Sequence, residues 1–534
     1  MRSEARADKA GPSSGAFKAG PGSSGWPAFS AIALAMIQWL PATVSAQTWR
    51  VEPSIKTFLT ATNNSGFANS TDSGGDVVLD LIPRVALTGR GARFTVNGSL
   101  EADSLTFARN TQSNQLIPSA RVSLNGNPIE QWLYVDAAAS VEQSTTDPYS
   151  VISTGTLPSE RLQTTQYRLS PYLDHAFSPL VNLQYRNNNV WTRRSGEASS
   201  AERRGNYELH GNSLSFSHRP VPLGFSLEAN QEQTRYTGDA TSTLDIASAR
   251  VVLTYAADPT VTVGVVAGKE QSEFAQTKSR DTIRGLRLRW LPTERSDLNV
   301  SVERRFFDTG WAAAWSHRSP FVAMSLNLAR TPTSQPASFV LQYAGGDLRS
   351  LIDAAFTTRY PNPVERAVIV DNAVANLGGS VVSTGPIEVY SNYAQLQTRA
   401  AAQMVFLGRL STLTVQVFTQ KAVQLQRPDT TTPVGAVPTV ADNEQIGVTT
   451  AFNRRLTSTL SVDAVGSAVR IEGLGAAAGQ STTSQSVRLA ANQALSPKTR
   501  AILGGRLQHS KVNQQNLQRS VSEIAGFFGI EHRF

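Results

Sequence analysis

Apolar and polar residues change places at every second position through much of this 534-residue chain. In Val181-Asn182-Leu183-Gln184-Tyr185-Arg186 the odd positions are apolar and the even ones polar. The same beat runs through Leu223 to Glu228, Leu286 to Trp290, Leu298 to Glu303, Leu413 to Val417 and Val487 to Leu489. Period two places alternate side chains on opposite faces, so each segment predicts a β-strand with one greasy and one wet face. After Gln47 no stretch of 18 apolar residues exists, which excludes a helix that crosses a membrane there.

A soluble sandwich also needs two-faced strands, so the turns must separate the two architectures. Short turns fall at Thr88–Gly91, Asn125–Pro128, Ser178-Pro179, His218–Pro220, Asp258-Pro259, Pro292–Arg295, His317–Pro320, Gly408-Arg409, Asn453–Arg455 and Ser496–Lys498. Their Pro, Gly, Asn and Asp supply the fixed or positive φ of hairpins. Long polar connections alternate with them, at Asn63–Gly75, Ser144–Glu160, Gln426–Asn443 and Gly473–Thr483. Short turns at one end and long loops at the other define an outer-membrane barrel with its short turns in the periplasm. The fold class expected is therefore all-β, a large antiparallel transmembrane β-barrel of about 22 strands, within a range of roughly 16 to 24. Strands of about 10 residues suffice to cross, and longer ones such as Leu162–Phe177 should project above the membrane.

Both ends of the chain fit export and closure. Residues 1–46 read as a signal peptide: Arg2, Arg6, Lys9 and Lys18 precede an apolar run from Ala31 to Leu40, and Val44-Ser45-Ala46 offers small residues for cleavage. The barrel would then occupy 47–534. Its last stretch, Ile524 to Phe534, alternates an apolar face with Glu531 and Arg533. Such a strand with a terminal Phe resembles the closing strand that barrel-insertion machinery reads, with Phe528, Ile530 and Phe534 as the C-terminal insertion signal. His532 departs from that pattern, standing where Tyr or Leu is more usual.

One segment breaks the alternation. Leu348, Leu351, Ile352 and Ala355 share one helical face, Pro363 suits the first turn of a second helix, and Gly378-Gly379 stops it. A helical insertion over about 346–378 is expected in one long loop, as an outer cap or as a plug in the lumen.

The Trp49-Arg50-Val51-Glu52-Pro53-Ser54-Ile55 opening, the inserted Asp353 to Ala367 segment with its Pro361-Asn362-Pro363-Val364-Glu365-Arg366-Ala367, and the Phe ending resemble the outer-membrane family associated with PEP-CTERM and exosortase systems. The likeness covers nearly the whole chain after the signal, and Asp353–Ala367 is its most specific part. It implies a role beside exopolysaccharide biosynthesis and export machinery in the outer membrane of a Gram-negative bacterium. It supplies no catalytic residues.

The chemistry of other classes is missing from the sequence. With no cysteine, neither a disulfide framework nor a thiol site can exist. The net charge of +8 is dispersed in singles and pairs such as Arg193-Arg194, Arg203-Arg204 and Arg304-Arg305, not in the patch that nucleic acid requires. Neither His-Glu-x-x-His nor, after the signal, Gly-x-Ser-x-Gly occurs. Gly264 to Glu270 imitates a phosphate loop, but its glycines are one residue too close and Glu270 stands in place of the magnesium-binding hydroxyl, so it reads as a strand. Gly473 to Gly479 reads as a loop. His175, His218, His317 and His532 lie beside short turns or the C-terminus, where interfacial placement outweighs a metal or phosphate site. No enzyme, cofactor, metal or catalytic residue is expected.

The polar partners of the apolar faces are the lumen-lining candidates: Arg186, Glu228, Arg287, Arg289, Glu303, Arg305, Asp463 and Arg488. They could form a basic ring favouring anionic solutes such as acidic polysaccharide, or Arg–carboxylate pairs that brace the wall. Two functions follow. One is a pore or conduit connected with exopolysaccharide export; the other is a closed barrel that anchors or assembles surface machinery. The expected partners are outer-membrane lipid, the barrel-insertion machinery, and exopolysaccharide or its export components.

Overall fold

The computed structural model describes residues 48–534 apart from 68–73, 146–148, 150–160, 196–205, 238–242, 275–276, 426–441, 515–516 and most of 334–394. The signal-peptide segment lies outside the described residues. So does most of the 346–378 insertion, of which Asp353, Phe356, Arg366 and Val370 are described, in helical conformation, and Thr357 in a turn.

Twenty-two antiparallel strands form one closed sheet. The first eight are β1 (Thr48–Thr62), β2 (Asp76–Arg90), β3 (Phe94–Phe107), β4 (Gln115–Ile129), β5 (Leu133–Thr145), β6 (Arg161–Ser178), β7 (Val181–Ser195) and β8 (Asn206–His218). Next come β9 (Leu223–Thr237), β10 (Thr243–Asp258), β11 (Val261–Phe274), β12 (Thr277–Thr293), β13 (Ser296–Arg305), β14 (Asp308–Arg318) and β15 (Val322–Thr333). The ring is completed by β16 (Gln395–Leu407), β17 (Ser411–Gln424), β18 (Asn443–Arg455), β19 (Leu460–Gly473), β20 (Ser481–Ala494), β21 (Thr499–Gln514) and β22 (Leu517–Arg533).

Each strand pairs with its neighbour in sequence, and β22 closes on β1 from Ser54↔Arg533 to Thr62↔Ala525. Closure matters because an unpaired edge has no water to satisfy it inside a bilayer. The seam is reinforced from within. Thr62 Oγ1 donates to Glu523 Oε1 at 2.8 Å, and Arg506 Nη2 donates to the same oxygen at 2.8 Å. Phe58 lies flat across Gly529, a position where a Cβ would collide with its ring, and meets Phe527 edge-on at 6.2 Å.

Alternation in exposure fixes the two faces. On β22, Ile524 is 61% exposed, and Phe528, Ile530 and Phe534 are exposed with it, whereas Val521, Glu523, Ala525 and Phe527 are buried. The exposed apolar set is the lipid face, and the opposite set faces inward. Trp49, Trp132, Trp290, Phe321 and Phe534 stand exposed near the short-turn ends, where amphipathic rings form an interfacial girdle.

All ten short reversals occur at one end, with two displaced from where the sequence suggests. Asn125–Pro128 lies within β4, whose register slips between Gly126 and Ile129 and so absorbs a proline that cannot donate; the reversal is Glu130–Trp132, with Gln131 at φ 62°. Asn453–Arg455 ends β18, and the reversal follows at Leu456–Thr459, where Thr457 Oγ1 accepts the N–H groups of Thr459 and Leu460. The long connections lie at the other end, beside tight ones such as Phe306-Phe307. Gly264 to Glu270 is indeed strand, and Gly475–Ala477 forms a 3-10 turn between β19 and β20.

The strands run from 10 to 18 residues, longer than crossing demands. With a rise of about 3.3 Å per residue and a tilt of about 40°, each residue gains roughly 2.5 Å of height, so about 10 residues cross an apolar band some 25 Å tall. The surplus projects at the long-loop end.

Candidate functional site: the inward wall

Two sectors of the inward wall differ in chemistry. Between β9 and β13 it is charged. Alternation with exposed Leu227, Val251, Leu286 and Val302 turns Glu228, Arg250, Arg287 and Glu303 inward. Arg287 grips Glu228 with both terminal nitrogens, at 2.6 and 2.8 Å, and reaches Glu303 at 3.3 Å. Glu303 also faces Arg250 at 3.5 Å. Alongside, Arg305 donates twice to Glu270 Oε2, at 3.0 and 2.8 Å, while the other oxygen of Glu270 accepts the Phe306 N–H at 2.7 Å. Gly285 leaves room for this packing, since a Cβ there would meet Glu303 Cγ at 2.8 Å. Three guanidinium groups thus face three carboxylates, and this network is neutral in itself; Glu232 and Asp281, on the same inward face, add two further acids to the sector.

The remaining charged candidates are dispersed. Arg289 pairs with Asp297 at 3.2 Å near the short-turn end. Arg186 reaches Asp136 at 3.0 Å and covers the Tyr172 ring at 3.9 Å. Asp463 accepts from the amides of Asn453 and Asn492, and Arg488 lies over Phe527 at 4.9 Å. The eight positions therefore make one network, Glu228–Arg287–Glu303, with Arg305 beside it and four separate placements, and they do not form a ring of unpaired arginines. Arg250, Glu270, Arg506 and Glu523 add ionic contacts, and Arg84–Glu101 at 3.9 Å and Arg121–Glu142 at 2.8 Å stand elsewhere on the wall. Arg250 was hidden because apolar residues follow it on both faces, Val251 outward and Val252 inward.

Between β16 and β18 the wall is built mostly from amides and hydroxyls, with the guanidinium of Arg399 among them. The register sets Arg399 beside Gln420 and Gln420 beside Gln445, and sets Gln403 beside Gln416 and Gln416 beside Thr449. Gln420 is 1% exposed, and neither of its amide atoms has a hydrogen-bond partner among the described residues; one polar atom each of Gln395, Gln397, Gln403 and Thr414 is in the same state. A buried amide without a partner costs roughly 1–3 kcal/mol, so among the described residues these positions want donors and acceptors.

At the long-loop end, one described residue reaches across. Tyr149, from the β5–β6 connection, is fully buried against Ile471 and Ala477, eight strands away through the β22–β1 seam. Its hydroxyl donates to the Asp442 carbonyl at 3.2 Å, and its carbonyl accepts from Thr482 Oγ1 at 2.6 Å. Burial raises the Asp442 carboxyl above its ordinary value, against the opposing effect of the Gln424 N–H that it accepts at 2.7 Å.

The histidines beside short turns meet aromatic rings: His175 stacks on Trp132 at 3.6 Å, His218 on Phe225 at 5.8 Å and His317 on Trp315 at 6.1 Å, and His532 meets Phe534 edge-on at 5.0 Å. Among the described residues no cluster of His, Asp and Glu could hold a metal.

A closed 22-strand barrel with an exposed apolar belt and a polar interior is an outer-membrane β-barrel, and its place is the outer membrane. No protein-family model matches the chain, and no curated protein sequence does. Among solved structures, the FrpB iron transporter of Neisseria meningitidis (F3-3 variant) is similar in fold, with a TM-score of 0.50 at 9% identity over 91% of this chain and 81% of that one. The siderophore receptor PirA of Pseudomonas aeruginosa aligns at a TM-score of 0.42 and 9% identity, over 92% and 82% of the two chains.

Proposed function

We propose that the chain is an outer-membrane conduit associated with exopolysaccharide and PEP-CTERM-type envelope systems. The observation that carries the conduit is the inward wall, with its paired guanidinium and carboxylate groups on one sector and its amides and hydroxyls on another. The fold is similar to that of the FrpB iron transporter of Neisseria meningitidis. The polysaccharide connection rests on the resemblance of Trp49–Ile55 and Asp353–Ala367 alone. The reading assigns the wall no catalytic role. Refolded protein in planar bilayers should give discrete conductance. Silence at every voltage would sink the open pore.

The Tyr149 contact favours a second reading, a closed barrel that anchors surface machinery. Under it the parent is silent and Tyr149→Ala, which frees the mouth contact, conducts. If parent and variant conduct alike, the contact does not govern the mouth. In either reading the barrel-insertion machinery recognises β22 by Phe528, Ile530 and Phe534. Removing Phe534 should lower the assembled, heat-modifiable fraction several-fold, and unchanged assembly would refute that role.

A further inference from the structure

The outer wall bears a charge arrangement that the lumen does not explain. Arg284 and Arg304 face each other across β12 and β13, both exposed, on the same face as Leu286 and Val302 one register step below. Like charges directly opposite on one face of a sheet repel. Neither guanidinium makes a hydrogen bond or an ion pair among the described residues. Glu303, adjacent to Arg304, faces inward, and exposed Asp308, four positions on, lies within electrostatic reach of Arg304 but pairs with Arg330 at 3.6 Å. Exposed Lys269 stands on the neighbouring β11, beside Thr282.

Their height is telling. Lys269, Arg284, Arg304 and Arg330 lie eight or nine residues from the short-turn ends of their strands, at Val261, Thr293, Ser296 and Val322. At roughly 2.5 Å of height per residue this is about 20 Å up, near the outer edge of the apolar band. A row of cations at that level meets lipid headgroups of the outer leaflet.

Beside this row the wall is indented. A cavity of about 730 Å³ is floored by Ala229, Ala247 and Ala249, walled by Leu214, and rimmed by Lys269 and Arg280. Ala249 pairs with both Ala229 and Lys269, so the small residues and the cation share one level. The floor suits an acyl chain and the rim suits a phosphate.

We propose that the outer wall between β8 and β13 holds a phosphorylated glycolipid of the outer leaflet, with its phosphate on Lys269, Arg284 and Arg304 and an acyl chain in the alanine-floored groove. The lipid would offset the Arg284–Arg304 repulsion, so that the barrel assembles most stably where that leaflet is anionic.

The test uses the full barrel in detergent with diphosphoryl lipid A as probe, and dephosphorylated lipid A and phosphatidylcholine as comparisons. The parent should retain diphosphoryl lipid A selectively through delipidation. Removing a cation near a charged lipid surface costs about fivefold in binding, so R284Q/R304Q should lose about 25-fold. K421Q should lose nothing, because Lys421 lies on the outer face of β17 opposite Glu444. Arg304→Glu keeps the test decisive if the double variant assembles poorly. It pairs with Arg284, so the lipid-free barrel should melt at a higher temperature than the parent while retention of diphosphoryl lipid A falls. Equal retention by R284Q/R304Q or R304E, or equal binding of the dephosphorylated lipid, would overturn the proposal.

Discussion

Between β9 and β13 the inward guanidiniums meet carboxylates, whereas between β16 and β18 the inward face offers, around Arg399, amides and hydroxyls, several of them without a partner among the described residues. The backbone is the same antiparallel ladder in both places. What differs is the cost of leaving a group alone. An unpaired buried ion is far more expensive than an unpaired buried amide, so charge forces the first sector to be self-sufficient while the second can wait for water or solute. The charged sector is therefore a brace, and the amide sector is the part of the wall with unspent hydrogen-bonding capacity.

The largest expected effect that separates them is at Glu303. Its carboxylate serves both Arg250 and Arg287, and its side chain and that of Arg250 are 12% and 14% exposed. Glu303→Gln leaves one guanidinium short of a counter-charge and should cost about 3 kcal/mol. The readout is a lower temperature for the shift in heat-modifiable migration. An unchanged temperature would mean that water, not the carboxylate, balances these arginines.

Gln420 should respond with the opposite sign. Gln420→Leu removes two polar atoms that have no partner among the described residues and substitutes a side chain of similar size, so stability should hold or rise by about 1 kcal/mol. The same migration assay reads it. A loss of that size would instead reveal a partner for the amide and would erase the distinction between the two sectors.

How much of this was legible depends on which physical rule applies. The alternation in Val181–Arg186 and Leu298–Glu303 displayed the strands, because a bilayer outside and a polar interior inside enforce period two. The proline and glycine turns showed which end was which. Strand number and the outward placement of Phe528, Ile530 and Phe534 follow from those two signals. Pairing across the wall was not visible: Glu228 and Arg287 lie 59 positions apart and meet only because the tilt and register of β9 to β12 align them. Arg284 and Arg304 look like ordinary surface charge until the register sets them opposite each other. Tyr149 was equally silent, since only closure of β22 on β1 brings its loop near β19 and β20. The 346–378 insertion lies largely outside the described residues.

The smallest effect concerns pH at the mouth beside the amide sector, where burial of one carboxyl sets its direction. Burial raises the Asp442 carboxyl in the folded chain above its unfolded value near 3.8. The folded state therefore binds the proton more tightly, and the stability this group contributes is complete below about pH 3.8 and is lost as pH rises through the raised folded value. The carbonyl of Asp442 accepts both the Leu474 N–H at 2.9 Å and the Tyr149 hydroxyl, so local loosening should register there. Hydrogen-exchange protection of the Leu474 amide, corrected for intrinsic rate, should be higher at pH 4 than at pH 7, and Asp442→Asn should abolish the difference. If the Leu474 amide instead loses protection on acidification, Asp442 behaves as an ion-paired carboxylate, and burial does not govern the mouth.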